Sequence, residues 1–531
     1  MIRTTFCIAA FLFTAASLFA AKPGSPGKAD GGKGAKHLAD QAEFFRGEIP
    51  TIHFEMSDED IEALRKDARR YVEVRMSEGA QNFKGAGVKL KGASGSFKPI
   101  DERPAFTVNL DKFKGGERFH GMKKFHLNNA NEDPSFLHQI LCGEIARAAG
   151  VPALRCTHAF VKLNERELGL YVFTESYTKD FLAPFFKNTD GDIYESGFIK
   201  DIDEELTKDE GDKKDFRAIE QLLAACREEK DAVRWQKLSA ILDVDRFASF
   251  LAIEALLGVG DGYDFGKNNY RIYHDPVTKL LSFIPHGMDE PLAEPDFGIQ
   301  REPGSIVGRA FVGCPEGRAL YRERVATIYE KVFAKRDWPA RAAEISAKVL
   351  AAVRAHDAGF ARELAPRMEN AKRLVGERVK KIAEQLADMP EPLTFDKTGA
   401  ARLTKGWGAK NEDGAKLERI NADGQPCLRI AAEGDTQASW RAGAALAPGR
   451  YRFEAKMKTL GVDGTGAGLR ISGKDPTGDW VRGNSDWHAV NYEFDVSEDG
   501  GDVVLVAELR GRKGEARFAL DSLRLVRLAR K

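Results

Sequence analysis

The stretch GVGDGYDFGKNNYRIYHDPVTKLLSFIPHGMD, Gly258 to Asp289, decides how this chain is read. It opens on a glycine-rich turn that carries Asp261 and Asp264. Paired Asn268 and Asn269 follow and lead into a short β pattern, Tyr270 to Tyr273. A turn over 274–279 leads to a second apolar run, Leu280 to Ile284, which ends at Pro285-His286-Gly287-Met288-Asp289. The spacing predicts a β-hairpin with a carboxylate and an amide before its first strand and another carboxylate after its second. Asp, Asn and Gly are also ordinary turn formers, so the pattern by itself is open to a purely structural reading. Phosphoryl transfer requires a layout of this kind: one Asp to orient the nucleophile, then an Asn and a second Asp to hold metal on the phosphates.

Upstream, KLKGASGS at 89–96 sets two cations beside small residues. Lys89 and Lys91 alternate along a strand, so both point from one face. The backbone N–H groups of the turn, Ser94 among them, can approach an anion. A solvated strand edge followed by a turn is the plainer reading of the same residues. Strands are expected over 50–56, 72–76, 87–91, 105–110, 124–127, 157–163 and 169–175, with helices over 58–69 and 135–149. The acidic, lysine-laced segment 200–215 reads as a solvated loop. Helices follow over 215–228, 232–242, 244–257, 318–333 and 340–389. Pro390-Glu391-Pro392 marks a boundary. Beyond it, evenly spaced β patterns at 450–456, 466–472, 488–496, 503–509 and 516–526 predict a β-sandwich. Trp407, Trp440, Trp480 and Trp487 within it are candidates either to stack on a sugar or to fill the core.

At 531 residues the chain is too long for one core. Lys plus Arg and Asp plus Glu both number 81. That balance argues against a general nucleic-acid or anionic-membrane binder. Arg3, the apolar run Phe6 to Phe19 and Ala20-Ala21 read as a secretory signal peptide over 1–21. A flexible linker is expected over 22–47, where Lys22 to Lys36 is rich in Gly, Lys and Pro. The mature protein is therefore expected to be secreted, periplasmic or in the cell envelope, with no transmembrane segment after cleavage. The six cysteines are scattered and form no C-x-x-C, so neither a disulfide scaffold nor a zinc site is expected. No H-E-x-x-H or G-x-S-x-G occurs, which argues against zinc proteases and α/β-hydrolases.

Four segments in order resemble the CotH (spore coat protein H) kinase family of atypical, secreted protein kinases. LKGASGSF at Leu90–Phe97 resembles its basic, glycine-rich segment. RPAFTVNLDKF at Arg103–Phe113 resembles its K-x-S-F strand, and LGLYVFTES at Leu168–Ser176 its G-x-Y-x-x-x-E strand. Asp261-Gly262-Tyr263, Asn269-Tyr270-Arg271-Ile272-Tyr273, Pro285 and Asp289 resemble its D-x-Y, N-Y-x-x-Y and Pro…Asp pattern. The resemblance implies an α+β chain: an atypical protein-kinase-like two-lobed domain over 48–390, then an all-β jelly-roll sandwich over 391–531. The end of that sandwich, ARFALDSLRLVRL at 516–528, resembles carbohydrate-binding modules.

The resemblance further implies that Asp261 orients the acceptor hydroxyl and that Asn269 and Asp289 hold Mg²⁺ or Mn²⁺. Lys89, Lys91, Ser94 and Arg103 would hold the phosphates of ATP, and Glu144, in mid-helix, would pair with the nucleotide-binding cation. Asp264, five residues before Asn269, rivals Asp261, and Asn268 rivals Asn269. Where the family carries lysines this chain has Arg103 and Thr107, and Arg does not simply replace Lys. The implied activity is transfer of the ATP γ-phosphoryl group to Ser or Thr hydroxyls of exported proteins, with a glycan as candidate ligand of the sandwich and no nucleic acid as partner. The alternative is a non-catalytic kinase-like protein of surface adhesion or coat assembly.

Overall fold

The computed structural model describes residues 33–528 except 94, 211–214, 301–302, 388, 390–392, 394, 411–413, 476–479 and 497–500. The expected signal peptide, Ser94 and the 390–392 boundary lie outside the described residues. The chain divides into two compact units. One takes in Met1–Asn129, Leu154–Gly191 and Asp275–Thr278; the other takes in Ala130–Ala153, Asp192–His274 and Lys279–Lys531.

The first unit is built on seven strands: β1 (Thr51–Glu55), β2 (Val72–Glu78), β3 (Gln81–Lys91), β4 (Ala105–Asn109), β5 (Lys124–Asn128), β6 (Cys156–Leu163) and β7 (Arg166–Glu175). Alternation along them dictates a two-faced sheet: Val72, Val74 and Met76 are buried while Glu73 and Arg75 are exposed. Ile52, Phe54, Val88, Leu90, Phe106, Val108, Phe125 and Leu127 join the same core. Each such side chain contributes about 1.5–3 kcal/mol on burial. The sheet curls into a closed barrel, in the order β1-β2-β3-β4-β5-β7-β6. Six of its pairings are antiparallel. The seventh closes the ring in parallel, from Thr51 opposite Phe160 to Phe54 opposite Leu163.

Two expectations change here. The helix expected between the strands, found at His138–Ala148, belongs to the second unit. The expected 22–47 linker is helical over Lys33–Phe44. Gln41 and Phe44 of that helix are buried. The Phe44 ring lies 5.3 Å from Phe119 and 4.8 Å from Phe173, so apolar packing orders a segment whose composition alone reads as flexible.

In the second unit the predicted hairpin forms as β10 (Tyr270–His274) and β11 (Leu281–Pro285), with Tyr270 opposite Pro285 and His274 opposite Leu281. Two further strands, β8 (Asp192–Glu195) and β9 (Thr207–Glu210), complete a sheet ordered β11-β10-β8-β9. The segment 200–215 is therefore no solvated loop. It contributes β9, and Asp201, Ile202, Leu206 and Lys208 are buried. Lys208 is tolerated there because its Nζ sits 2.7 Å from Asp192 and over the rings of Tyr194 and Phe216. Helices Val244–Leu257 and Ile306–Gly313 pack with this sheet in one apolar core. The helical stretch expected at 340–389, whose 341–385 portion reads as paired helices, is such a pair, Trp338–His356 and Ala358–Ala387.

Among the described residues, ten strands follow between Ala400 and Leu528, all paired antiparallel around a core drawn from 403–525, with Leu393 and Phe395 against it. The two β patterns read at 450–456 and 466–472 are one 23-residue strand, Gly449–Ile471. Register shifts after Met457 let it serve different partners along its length.

Candidate active site

The helix Val244–Leu257 is buried from Phe247 onward and stops at Gly258, whose φ of 76° is the left-handed conformation that ends helices. Glu254, in its last turn, is the single charged residue of the run 247–257 and is fully buried. Its Oε1 accepts the backbone N–H of Tyr263 and its Oε2 that of Asp264, both at 2.9 Å. Burial, and then the charge of Asp264, hold the Glu254 carboxyl well above the usual carboxylate range. A Cβ on Gly262 would stand 2.5 Å from Glu254 Oε1, so only glycine lets the turn come this close. Glu254 thus fixes the shape of the 258–264 turn from beneath.

The two aspartates of that turn have different surroundings. Asp264 is 5% exposed and accepts the Ser305 hydroxyl at 2.9 Å. Ser305 is itself the N-cap of the helix Ile306–Gly313. Burial pushes the Asp264 carboxyl up to about 6, against the Ser305 bond that favours its ionised form. Tyr263, between the two, donates its hydroxyl to buried Asp201 at 2.8 Å. Asp261 is exposed. Its Oδ2 accepts Nδ2 of Asn268 at 2.9 Å and Nδ2 of Asn269 at 2.8 Å. Both asparagines of the sequence pattern therefore converge on the same carboxylate.

Asn269 holds a left-handed φ of 52°, and its carbonyl accepts the N–H of His286 at 2.8 Å. A Cβ on Gly287 would lie 2.5 Å from the Asn269 Oδ1, so the exit of β11 passes against the amide. Asp289 follows two residues later and is half-buried. Desolvation, then the charges of Asp289, Asp261 and Glu294, hold the Glu290 carboxyl above its ordinary range. Asp261 and Asp289 thus act on one neighbour. Non-glycine residues with left-handed φ gather nearby: Ile199 at 50°, Lys267 at 54°, Asn269 at 52° and Leu292 at 68°. Each such conformation stores roughly 1–3 kcal/mol and is typical of functional sites. No cluster of three or more His, Cys, Asp or Glu suited to a metal occurs among the described residues.

Lys89 and Lys91, in the first unit, lie on the outer face of the barrel, since Val88 and Leu90 fill its core. Lys91 Nζ donates to Asn128 Oδ1, and Lys89 Nζ stands 5.1 Å from the Tyr71 ring centre. Gly92 takes a φ of 103° where the turn begins, and the Phe97 N–H closes it on the Ala93 carbonyl at 2.9 Å.

Two expected partners of a nucleotide are engaged elsewhere. The Arg103 guanidinium donates to the carbonyls of Leu168 (3.2 Å) and Leu170 and lies over the Tyr171 ring. Burial lowers its pKa. It is held to β7 by bonds that a phosphate would have to displace. Glu144 does not pair as expected. Its carboxylate is held by Arg341, at 2.7 and 3.0 Å, and by Arg336 at 3.4 Å.

Among the tryptophans, Trp407 and Trp440 are core residues whose indole N–H groups donate to the Leu403 and Arg429 carbonyls. Trp480 and Trp487 are half-buried.

Besides Glu254, the sequence reading missed Arg378. It is fully buried, and its guanidinium donates to the carbonyls of Ala255 (2.6 Å), Leu256 (2.9 Å), Pro295 (2.8 Å) and Phe297 (2.6 Å). It caps the helix that carries Glu254, and burial pulls its pKa down to about 10. In sequence it is one of many arginines on an amphipathic helix and carries no local signal.

Comparison with known proteins finds the following similarities. An inner spore coat protein H of Bacillus subtilis (strain 168) is 25% identical over 186 residues, which is 32% of this chain and 50% of that protein. The chain thus spans about half the length of that curated relative. Among solved structures, the Helicobacter pylori proinflammatory kinase CtkA aligns with 57% of this chain and 98% of its own, at 8% identity and a TM-score of 0.26. TmCBM61, solved in complex with beta-1,4-galactotriose, aligns with 23% of this chain and 88% of its own, at 20% identity and a TM-score of 0.19. The family model described as CotH kinase protein matches residues 88–363, just over half of the chain. That span takes in the glycine-rich turn after β3 and the loop that gathers Asn268 and Asn269 on Asp261, and the chain belongs to the CotH kinase family.

Proposed function

We infer that this chain is a secreted atypical protein kinase that moves the γ-phosphoryl group of ATP to a Ser or Thr hydroxyl of an exported protein. The observation that carries this reading is the convergence of the Asn268 and Asn269 amides on exposed Asp261, with rival Asp264 buried under Ser305. An exposed carboxylate aimed by two amides is suited to orient an acceptor hydroxyl and take its proton.

The residues suit a divalent cation. The Nδ2 of Asn269 is turned to Asp261, which leaves its Oδ1 as one candidate oxygen ligand, with the Asp289 carboxylate, two residues past Gly287, as the other. Glu290 is raised first by desolvation and then by the charges of Asp289, Asp261 and Glu294, and a cation would offset that second, like-charge part. Mg²⁺ takes oxygen ligands and keeps several waters, so two protein ligands suffice. When bound, the metal neutralises charge on the transferring phosphoryl group.

Lys89, Lys91 and the turn at Gly92 are the candidate phosphate binders of the first unit. The engagement of Arg103 with β7 favours these lysines over the arginine and is also the observation that supports the second reading, a non-catalytic coat or adhesion protein. The spore-coat relative supports a place in an envelope or coat. Trp480 and Trp487 are the aromatics left for a glycan. Incubating the purified protein with radiolabelled ATP and Mg²⁺ or Mn²⁺ tests the reading. Label should enter the wild type and be lost in Asp289→Ala. A correctly folded wild type that takes no label with either metal or an added protein acceptor overturns it.

A further inference from the structure

Seven large apolar side chains are exposed among the described residues, and only two of them, Phe198 (53% exposed) and Ile199 (52%), are neighbours in sequence. They form the tip of the connection between β8 and β9. The backbone beneath them is anything but loose. Ile199 holds a left-handed φ of 50°, which its branched side chain disfavours, and Gly197 before it is left-handed as well. Asn268, 6% exposed, accepts the Ile199 N–H on Oδ1 at 3.3 Å while its Nδ2 donates to the Asp261 carboxylate at 2.9 Å. The Tyr270 hydroxyl donates to the carbonyl of Lys200 at 2.9 Å, and the Tyr263 hydroxyl to Asp201 at 2.8 Å. One buried amide therefore joins the apolar tip directly to the candidate base, and two tyrosines of the same loop and hairpin pin the residues that follow.

We propose that Phe198 and Ile199 are the acceptor-docking element of the transfer site, and that they select a polypeptide carrying an apolar residue beside the hydroxyl to be phosphorylated. This rests on the kinase reading above. The argument is one of continuity and strain. A hydroxyl placed on Asp261 lies one amide side chain away from the Ile199 backbone, so the residue flanking that hydroxyl meets Phe198 and Ile199. A strained, tethered conformation that presents two large apolar groups to water is retained where something covers them. An apolar side chain against such a surface discriminates by about tenfold or more.

The test uses synthetic peptides of one common sequence with a single Ser, flanked on either side by Leu or by Gln, and the full chain as wild type and as Phe198→Ala/Ile199→Gly. Glycine suits the left-handed position, and both side chains are exposed, so the variant keeps the fold. The wild type is expected to use a Leu peptide with kcat/KM at least about tenfold above its Gln counterpart, and the variant to lose most of that preference through KM for peptide, with KM for ATP unchanged. Equal use of Leu and Gln peptides by the wild type overturns the proposal. So does a raised KM for ATP in the variant, which would put the pair against the nucleotide instead. Binding of the fluorescently labelled Leu peptide, followed by anisotropy, separates the two readings. Phe198-dependent binding without any transfer keeps the docking element and sinks the kinase reading; neither binding nor transfer overturns both.

Discussion

At the scale of single residues, Asp261 and Asp264 differ by three positions and by everything that surrounds them. Asp261→Asn is expected to lower turnover by a factor on the order of 10² or more, with ATP affinity nearly unchanged, since a positioned base touches the acceptor and not the phosphates. Single-turnover kinetics and nucleotide titration measure the two effects separately. Asp264→Asn is expected to lower turnover far less and to show itself in stability. The Asp264 carboxyl is pushed up to about 6 in the folded chain from an ordinary value of 3.8. Between these values the folded state keeps a proton that the unfolded chain has released, so stability falls as pH rises from about 4 to 6, by roughly 3 kcal/mol at most. Asn carries no charge to desolvate and still accepts from Ser305. Thermal midpoints should therefore fall less in Asp264→Asn than in the wild type across that window; parallel curves would show that Asp264 is not the group responsible. The sequence favours Asp261 over Asp264 only through the resemblance of its D-x-Y turn; the burial of Asp264 under Ser305 is not legible along the chain, because Ser305 lies 41 positions away.

At the scale of elements, the hairpin Tyr270–Pro285 was legible because its strands are short, β-rich and split by a turn, and the helix Val244–Leu257 because its apolar run is long. What holds the turn between them was not. Glu254→Ala leaves the N–H groups of Tyr263 and Asp264 buried without an acceptor, at about 1–3 kcal/mol each. Hydrogen exchange at those two amides is expected to quicken, and stability to fall by more than in Glu254→Gln, which keeps one acceptor. Unchanged protection in the alanine variant would mean that the turn holds its shape without the carboxylate. Arg378 acts on the same C-terminal turn of that helix, through the Ala255 and Leu256 carbonyls. Arg378→Met leaves four carbonyls without their donor, and a loss of about 3–5 kcal/mol is expected in denaturant unfolding. Arg378→Lys is expected to recover little of it, because one ammonium cannot reach four carbonyls that a planar guanidinium spans.

At the scale of the whole molecule, the apolar core of the C-terminal strands is drawn from residues 403–525 with Leu393 and Phe395 against it. A fragment spanning 393–531 is accordingly expected to fold and melt cooperatively, and the chain ending at Met389 to stay soluble and bind nucleotide. Circular dichroism of the first and calorimetric titration of the second check this. A fragment that is unfolded alone would show that its core is completed by residues before 393. Barrel closure in the first unit belongs to the same scale. β1 meets β6 in parallel across more than a hundred residues of chain, and no local pattern in either strand encodes that partner.

The sequence by itself determined the period of its strands and helices, the hairpin with Asp261, Asn269 and Asp289 at its ends, and membership of a kinase family, since each rests on residues close together in the chain. Tertiary structure alone decided which aspartate faces solvent, that Arg103 is bound to β7 and Glu144 to Arg341, that Lys208 is buried, and that the first sheet closes. Each of these depends on a partner brought from far along the chain. Burial and long-range pairing are properties of packing, and composition read along the chain carries them only where one residue type is compelled to lie inside.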